Sequence, residues 1–231
     1  MNAVESEKVR NPWRKLHPSK GSYVLEMDRE DIRRYNAAVR DEAKVIDWSI
    51  PEPFIGNPES ARVVLLGLNP GHSNEDKEAH SNDDFREAML HNLDHESQEY
   101  PFYPLNPGFE PVGVVKWWGT RTRKLRNSVG LGAASFAKRL LVIEGFPYHS
   151  KKSALPTKQV CKSQEYSFQL AKEMLGKRLV VLMRSQKHWL EVDPEFGKAP
   201  RLKNPQCGHV SEGNMDPGLY KEMVAELQRD N

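Results

Sequence analysis

Cysteine is scarce: the 231 residues contain only Cys161 and Cys207, well separated in the chain. Two distant thiols cannot build a structural zinc or iron–sulfur site, whose ligands come in closer and more numerous sets. They read as ordinary thiols in a reducing compartment rather than as a disulfide. Long apolar runs are also missing; none approaches the roughly 18 residues of a membrane span. The first twenty residues lack the apolar core of a signal peptide, so a cytoplasmic protein is expected. Neither G-x-x-x-x-G-K-[ST] nor G-x-G-x-x-G occurs, which removes the phosphate-cradling loops of recognisable spacing. The absence of a nucleophile elbow argues against an α/β hydrolase acting on a small molecule. No metal and no cofactor are expected.

Acid is missing from one long stretch. Between Val114 and Ser163 eleven Lys or Arg accompany a single acid, Glu144, whereas between His72 and Glu99 nine acids accompany Lys77 and Arg86. The formal net charge of +2 hides this asymmetry. A basic stretch of this kind favours a polyanionic partner, with a solvated surface face as the alternative.

Apolar runs bounded by turn residues are present at 62–68 (RVVLLGL), 140–146 (LLVIEGF) and 178–183 (RLVVLM). Such runs suit strands buried on both faces of a parallel sheet. Helical spacing predicts helices over 28–44, 82–97, a segment near 121–139, and 163–176 with Ser163 as cap and Gly176 as stop. A last helix starts at Asp216-Pro217. The segment 51–60, PEPFIGNPES, reads as a loop. Buried strands alternating with helices define an α/β fold. A single domain over 21–231 is expected, preceded by a polar arm over 1–20 that lies on the surface.

In an open α/β sheet, ligands bind beyond the carboxyl ends of the strands. The loop after the first run is Gly67-Leu68-Asn69-Pro70-Gly71-His72-Ser73. It sets one short amide at the sheet edge, stiffens the chain with a proline and lets a ligand approach at two glycines. An ordinary Asn-Pro-Gly turn is the alternative. The other loops to interrogate are Glu144–Ser150, Arg184–Trp189 and Asn204–Ser211.

GLNPGHS at 67–73 resembles the first motif of the uracil-DNA glycosylase superfamily, especially its mismatch-specific uracil/thymine branch. NPQCGHVS at 204–211 resembles the second motif: Asn204, Pro205, Gly208 and Ser211 match, in a loop two residues longer. The resemblance covers roughly 55–215. It implies a three-layer α/β/α sandwich with a central, mostly parallel four-stranded sheet. It also implies a monomeric, metal-free DNA glycosylase that flips uracil or another deaminated base into a pocket.

In that role Asn69 would position the attacking water; being neutral, it cannot take the water's proton. Gly67, Leu68, Pro70, Gly71, His72 and Asn204 would hold the base, with Phe102 or Tyr103 as its stacking floor. Glu144 would contact the base edge or act as a base, or simply pair with Lys151 or Lys152. The chain departs from the superfamily at Asn204, where the strongest uracil cleavers carry a histidine; His209 and His149 are the candidate donors in its place. DNA contacts would fall to Lys116, Trp118, Arg121 and Arg123 in KWWGTRTRKLR, where aromatic and basic side chains interleave. A buried Trp117–Trp118 pair anchoring a helix is the other reading of that segment. Lys151, Arg184 and Lys187 would touch phosphates, and Gln206 and Ser211 would belong to a loop that fills the gap left by the flipped nucleotide. The rival function is a non-catalytic nucleic-acid or nucleotide-binding protein on the same fold, favoured by Asn204 and the lengthened loop.

Overall fold

The computed structural model describes residues 9–19, 21–156 and 158–229. Four strands, β1 (Phe54–Ile55), β2 (Val63–Leu66), β3 (Leu140–Ile143) and β4 (Leu179–Leu182), form one open mixed sheet in the order β1-β3-β2-β4. The central strand β2 runs parallel to β3 and β4, while β1 pairs antiparallel with β3. Val63 lies opposite Leu140 and Leu179, and Leu66 opposite Ile143 and Leu182. Every residue of β2 and β3 is buried. Successive strand side chains point to opposite faces, so both faces of the sheet are covered. Each such Val, Leu or Ile contributes about 1.5–3 kcal/mol by leaving water.

The described residues form eight α-helices: α1 (Arg29–Ala38), α2 (Asn74–Ala79), α3 (Asp83–Leu93), α4 (Gly113–Val129), α5 (Ala133–Ala137), α6 (Gln164–Leu175), α7 (Gln186–Val192) and α8 (Pro217–Gln228). Helix α6 packs on β3 and β4, α8 packs on β2, and α4 runs against α8. One buried apolar cluster extends from Trp13 to Leu227. Among the described residues no helix is long and apolar enough to cross a membrane. Cys161 and Cys207 are both free thiols.

Several elements differ from the sequence-based expectation. The helix expected over 28–44 stops at Ala38, because Val39 is extended (φ −114°, ψ 163°). The chain then folds back: the Tyr35 hydroxyl donates to Ala43 O (3.2 Å), and Asn36 Oδ1 accepts from Val45 N (2.9 Å). These two side chains satisfy the returning backbone, which stabilises the turn over further helix. The segment expected over 82–97 ends at Leu93, and His95 adopts φ 58°. The segment placed near 121–139 is two helices: α4, which starts at Gly113 and is closed by left-handed Gly130 (φ 71°), and the short α5. Ser163 precedes α6 without a side-chain capping bond, whereas Asp216 caps α8 by accepting from Gly218 N (2.8 Å). The fourth strand, β1, lies inside the segment read as a loop, and α7 follows β4 where no helix was expected.

The arm is not a polar cover. Residues 1–8 and 20 lie outside the described residues, but Trp13 is fully buried and meets Tyr148 edge-on at 5.7 Å between ring centroids. Asn11 Nδ2 donates to Leu93 O (2.8 Å), and Lys15 N donates to Asp94 Oδ1 (2.6 Å). One aromatic anchor and these backbone ties hold the arm against α3 and the loop after β3. Replacing a fully buried Trp by Ala removes both its transfer energy and its packing. Trp13→Ala is therefore expected to lower stability by about 3–5 kcal/mol in urea denaturation. A loss below about 1 kcal/mol would mean that the arm is not part of the core.

Candidate functional site

The loops beyond β2 and β3 continue as a paired ribbon. Gly67 N donates to Ile143 O (2.9 Å), Phe146 N to Leu68 O (2.8 Å), and Gly71 bridges Ser150 in parallel register. The indole of Trp189, buried on α7, donates to Gly67 O (2.8 Å). His149 is 2% exposed and fixes the far end, with Nδ1 2.8 Å from Gly71 O and Nε2 2.9 Å from Ile50 O. A neutral ring has one N–H, so it donates to one of these two carbonyls at a time. Burial pulls the His149 pKa down, and the Gly71 and Ile50 carbonyls and the Asp76 charge oppose that pull.

This ribbon sets Asn69. Its Nδ2 donates to Ser150 Oγ (3.1 Å) and Pro70 O (3.0 Å). Ser150 Oγ spends its own hydrogen on Lys152 O (3.1 Å), so toward Asn69 it accepts. The network thereby dictates the amide orientation and leaves Oδ1 without a partner among the described residues.

Asn69 faces a cleft of about 360 Å³ across the carboxyl ends of β2, β3 and β4, within the size range of small-ligand sites. Its inner wall holds two carboxyls. Glu144 is 8% exposed and lies over Gly67, where a β-carbon would stand 2.1 Å from Oε2. Only glycine admits the carboxyl there. Glu52 is 3% exposed, accepts a very short hydrogen bond from the Tyr103 hydroxyl, and lies 3.8 Å from His149 Nε2. Burial pushes both carboxyls up to about 8; the Tyr103 bond opposes the shift at Glu52, and Arg184 opposes it at Glu144. Both are therefore protonated at neutral pH.

The mouth is built by α2, α4 and the late loop. Asp76 Oδ2 accepts from Ser73 N (2.5 Å) and Ser73 Oγ (2.9 Å), while its Oδ1 accepts from Val114 N (3.0 Å). One buried carboxylate thus joins the starts of α2 and α4, which extends α4 upstream of its predicted start. Trp117 projects from α4 with the guanidinium carbons of Arg121 and Arg184 at 5.1 and 5.5 Å from its ring centroid. The late loop seats on this group. Val210 N donates to Arg121 O (3.0 Å), and Gly208 (φ 60°) packs on this group, where a β-carbon would stand 3.1 Å from Met183 Cε and in ordinary contact with Trp117 and Arg184. Asn214 staples the loop, accepting from Asn204 N (2.7 Å) and donating to His209 O (2.8 Å).

Of the residues singled out in the sequence, Gly67, Leu68, Asn69, Pro70, Gly71, His72, Trp118, Glu144, Lys151 and Arg184 line the cleft. Phe102 and Tyr103 do not: both are core residues, Phe102 edge-on to Trp118 at 5.1 Å and Tyr103 bound to Glu52 behind the wall. Their proline-rich turn packs inward onto α3, α4 and α5. Trp118 is 3% exposed and cannot reach a partner's backbone; its neighbour Trp117 is the aromatic at the mouth. His149 is sealed behind the ribbon, and Ser211 is buried. Asn204 sits outside the cleft and shapes its loop by accepting from Gln206 N (3.0 Å) and Cys207 N (3.3 Å). His209 is also outside the cleft, its pKa held down by burial and by Arg121, Lys124 and Arg123. Lys116, Arg123, Lys187 and Gln206 are exposed away from the cleft, and Lys116 pairs with Glu75 at 3.6 Å.

Glu52 and Asp76 were missed. Glu52 had a signal, an acid inside the otherwise apolar IPEPFI, and Asp76 had one in its Ser-x-x-Asp spacing after the first motif. Among the described residues no cluster of His, Cys, Asp and Glu is arranged to hold a metal ion. Comparison with known proteins yields no relative: no family model, no curated protein and no solved structure matches the chain.

The two raised carboxyls bind protons more tightly folded than unfolded. Their contribution to stability is complete below the ordinary value of 4.5 and is lost as pH rises through about 8. His80, pushed down by burial to about 3, acts in the opposite sense and weakens the fold as pH falls below 6.5. Glu144→Gln stays neutral throughout. Its urea midpoint should match wild type near about pH 5 and exceed it near about pH 9. Equal differences at both pH values would show that Glu144 titrates as an ordinary carboxyl.

Proposed function

We propose that the protein is a DNA-base glycosylase that hydrolyses the N-glycosidic bond of uracil or another deaminated base, on the three-layer α/β/α fold of the uracil-DNA glycosylase superfamily. The observation that carries this reading is Asn69: an amide oriented by Ser150 and Pro70, with its oxygen free, on a cleft at the end of the central strand. A side chain so held accepts a hydrogen bond from a water and fixes its line of attack without taking its proton.

The rest of the cleft agrees with a base as guest. Asn69, Glu52 and Glu144 present neutral hydrogen-bonding groups in it, the Asp76 carboxylate being taken up by Ser73 and Val114, while Arg184, Lys151 and the Arg121-flanked Trp117 stand at the mouth. That order suits a neutral base inside and an anionic backbone outside. DNA is the proposed partner, the protein acting as a cytoplasmic monomer.

A second reading, a non-catalytic binder of nucleic acid or nucleotides, rests on Asn204, His209 and His149. None of them faces the cleft, so the histidine donor of the strongest uracil cleavers has no counterpart at those positions.

Labelled duplexes, each with one uracil, hypoxanthine, xanthine or mismatched thymine, followed by alkali, separate the two. Base release by wild type with a loss of about 10²-fold or more in Asn69→Ala is expected. Salt-sensitive duplex binding with no release on any of these substrates would instead establish the binder.

A further inference from the structure

Glu144 stands at the carboxyl end of β3 with no hydrogen-bond partner for either carboxyl oxygen among the described residues. The carboxyl fills the space that a β-carbon on Gly67 would need, and its Oε2 is fully buried with no partner among the described residues. Oε1 is the oxygen left to meet a ligand, on the same cleft as Asn69. A buried carboxyl with one sealed and one open oxygen is cheapest with its proton on the open one, because an unpaired O–H is a costlier orphan than an unpaired carbonyl. The side chain then presents a single O–H donor to the cleft.

We infer that Glu144 is a catalytic residue, donating a hydrogen bond from its neutral carboxylic acid to the carbonyl oxygen of the departing base. This inference rests on the glycosylase reading of the same cleft and supplies the donor that Asn204, His209 and His149 do not. As the bond between the sugar and the base nitrogen breaks, its electron pair leaves with the base and spreads onto the base carbonyl. Glu144 strengthens its hydrogen bond to that oxygen and keeps its proton. The water held by Asn69 forms the new bond to the sugar carbon, its proton passes to solvent, and the base anion is reprotonated from solvent. A preorganised donor aimed at developing charge in a dry site is the strongest form of such assistance. A carboxylic acid kept neutral by its surroundings can fill that role.

The groups that bear on Glu144 come from every side. Arg184, after β4, favours its ionised form, and Glu52, before β1, disfavours it. His72, Asp76 and Lys151 share the cleft, and His188 of α7 packs against Gly145 behind it. Burial outweighs the arginine and raises the Glu144 pKa to about 8.

The test uses the whole protein on a uracil-containing duplex, with Glu144→Gln and Glu144→Leu beside wild type. Wild-type kcat should fall as pH rises through about 8, the acid losing its donor. Glu144→Leu should lose about 10²- to 10³-fold in kcat with a smaller change in KM. Glu144→Gln, whose amide N–H still donates, should keep more of the activity and lose the alkaline decline. Isotope-edited infrared spectra of bound uracil form the second arm: the carbonyl stretch should shift to lower frequency in wild type and return in Glu144→Leu. Base release by wild type that is indifferent to both substitutions overturns the inference and leaves the glycosylase reading intact. A Glu144-dependent carbonyl shift without base release overturns the glycosylase reading and with it the catalytic role, leaving Glu144 only as a donor to a bound base. Neither release nor shift overturns both.

Discussion

Beyond Leu66 and Ile143 the two central strands do not part. Their loops stay hydrogen-bonded from Gly67 to Gly71 on one side and from Ile143 to Ser150 on the other. Each bond contributes only about 0.5–1.5 kcal/mol, but the positional effect is large. The pairing brings Ser150 within hydrogen-bond reach of Asn69 and lays Glu144 over Gly67, so two polar groups with oxygens unpartnered among the described residues line one cleft. His149 and Trp189 lock the ribbon from behind through main-chain carbonyls. The site is therefore a continuation of the sheet, not an ornament of mobile loops, and such rigidity is what positioning chemistry requires.

Electrostatics sort the cleft by depth. Burial holds Glu52 and Glu144 protonated, while Arg121, Arg184 and Lys151 carry positive charge near the entrance. An ionised Glu144, with no hydrogen-bond donor among the described residues to satisfy it, would repel a departing base anion. A neutral acid offers a directed donor with no such penalty. Asp76 is spent on structure, with both oxygens accepting main-chain or hydroxyl hydrogens that join α2 to α4. On the proposed reading, the interior suits an uncharged base and the rim suits its phosphates.

Local pattern made much of this legible. The apolar runs VVLL, LLVI and LVVL fall on β2, β3 and β4 because strands buried on both faces need continuous apolar sequence. Asn69, Glu144 and Arg184 meet because the ends of neighbouring parallel strands must meet. Features set by long-range contacts stayed hidden. β1 is two residues between Pro53 and Gly56 and exists through its pairing with Ile143 and Val142. Phe102 and Tyr103 carried the right chemistry for a stacking floor, but whether an aromatic lines a cleft or fills the core depends on which way its turn packs. Trp117 and Trp118 are adjacent on one helix and differ only in face; the helix phase, fixed by packing on α8 and the proline-rich turn, decided that Trp117 is half-buried at the mouth and Trp118 buried.

A crystal structure of the protein with a duplex containing 2′-fluoro-2′-deoxyuridine, whose glycosidic bond resists hydrolysis, tests the central claim most directly. The expected result is an everted uracil in the cleft, a water between Asn69 Oδ1 and the sugar carbon, and the base carbonyl within hydrogen-bond reach of Glu144 Oε1. A duplex bound with its uracil still stacked, or seated away from β2, β3 and β4, would contradict it.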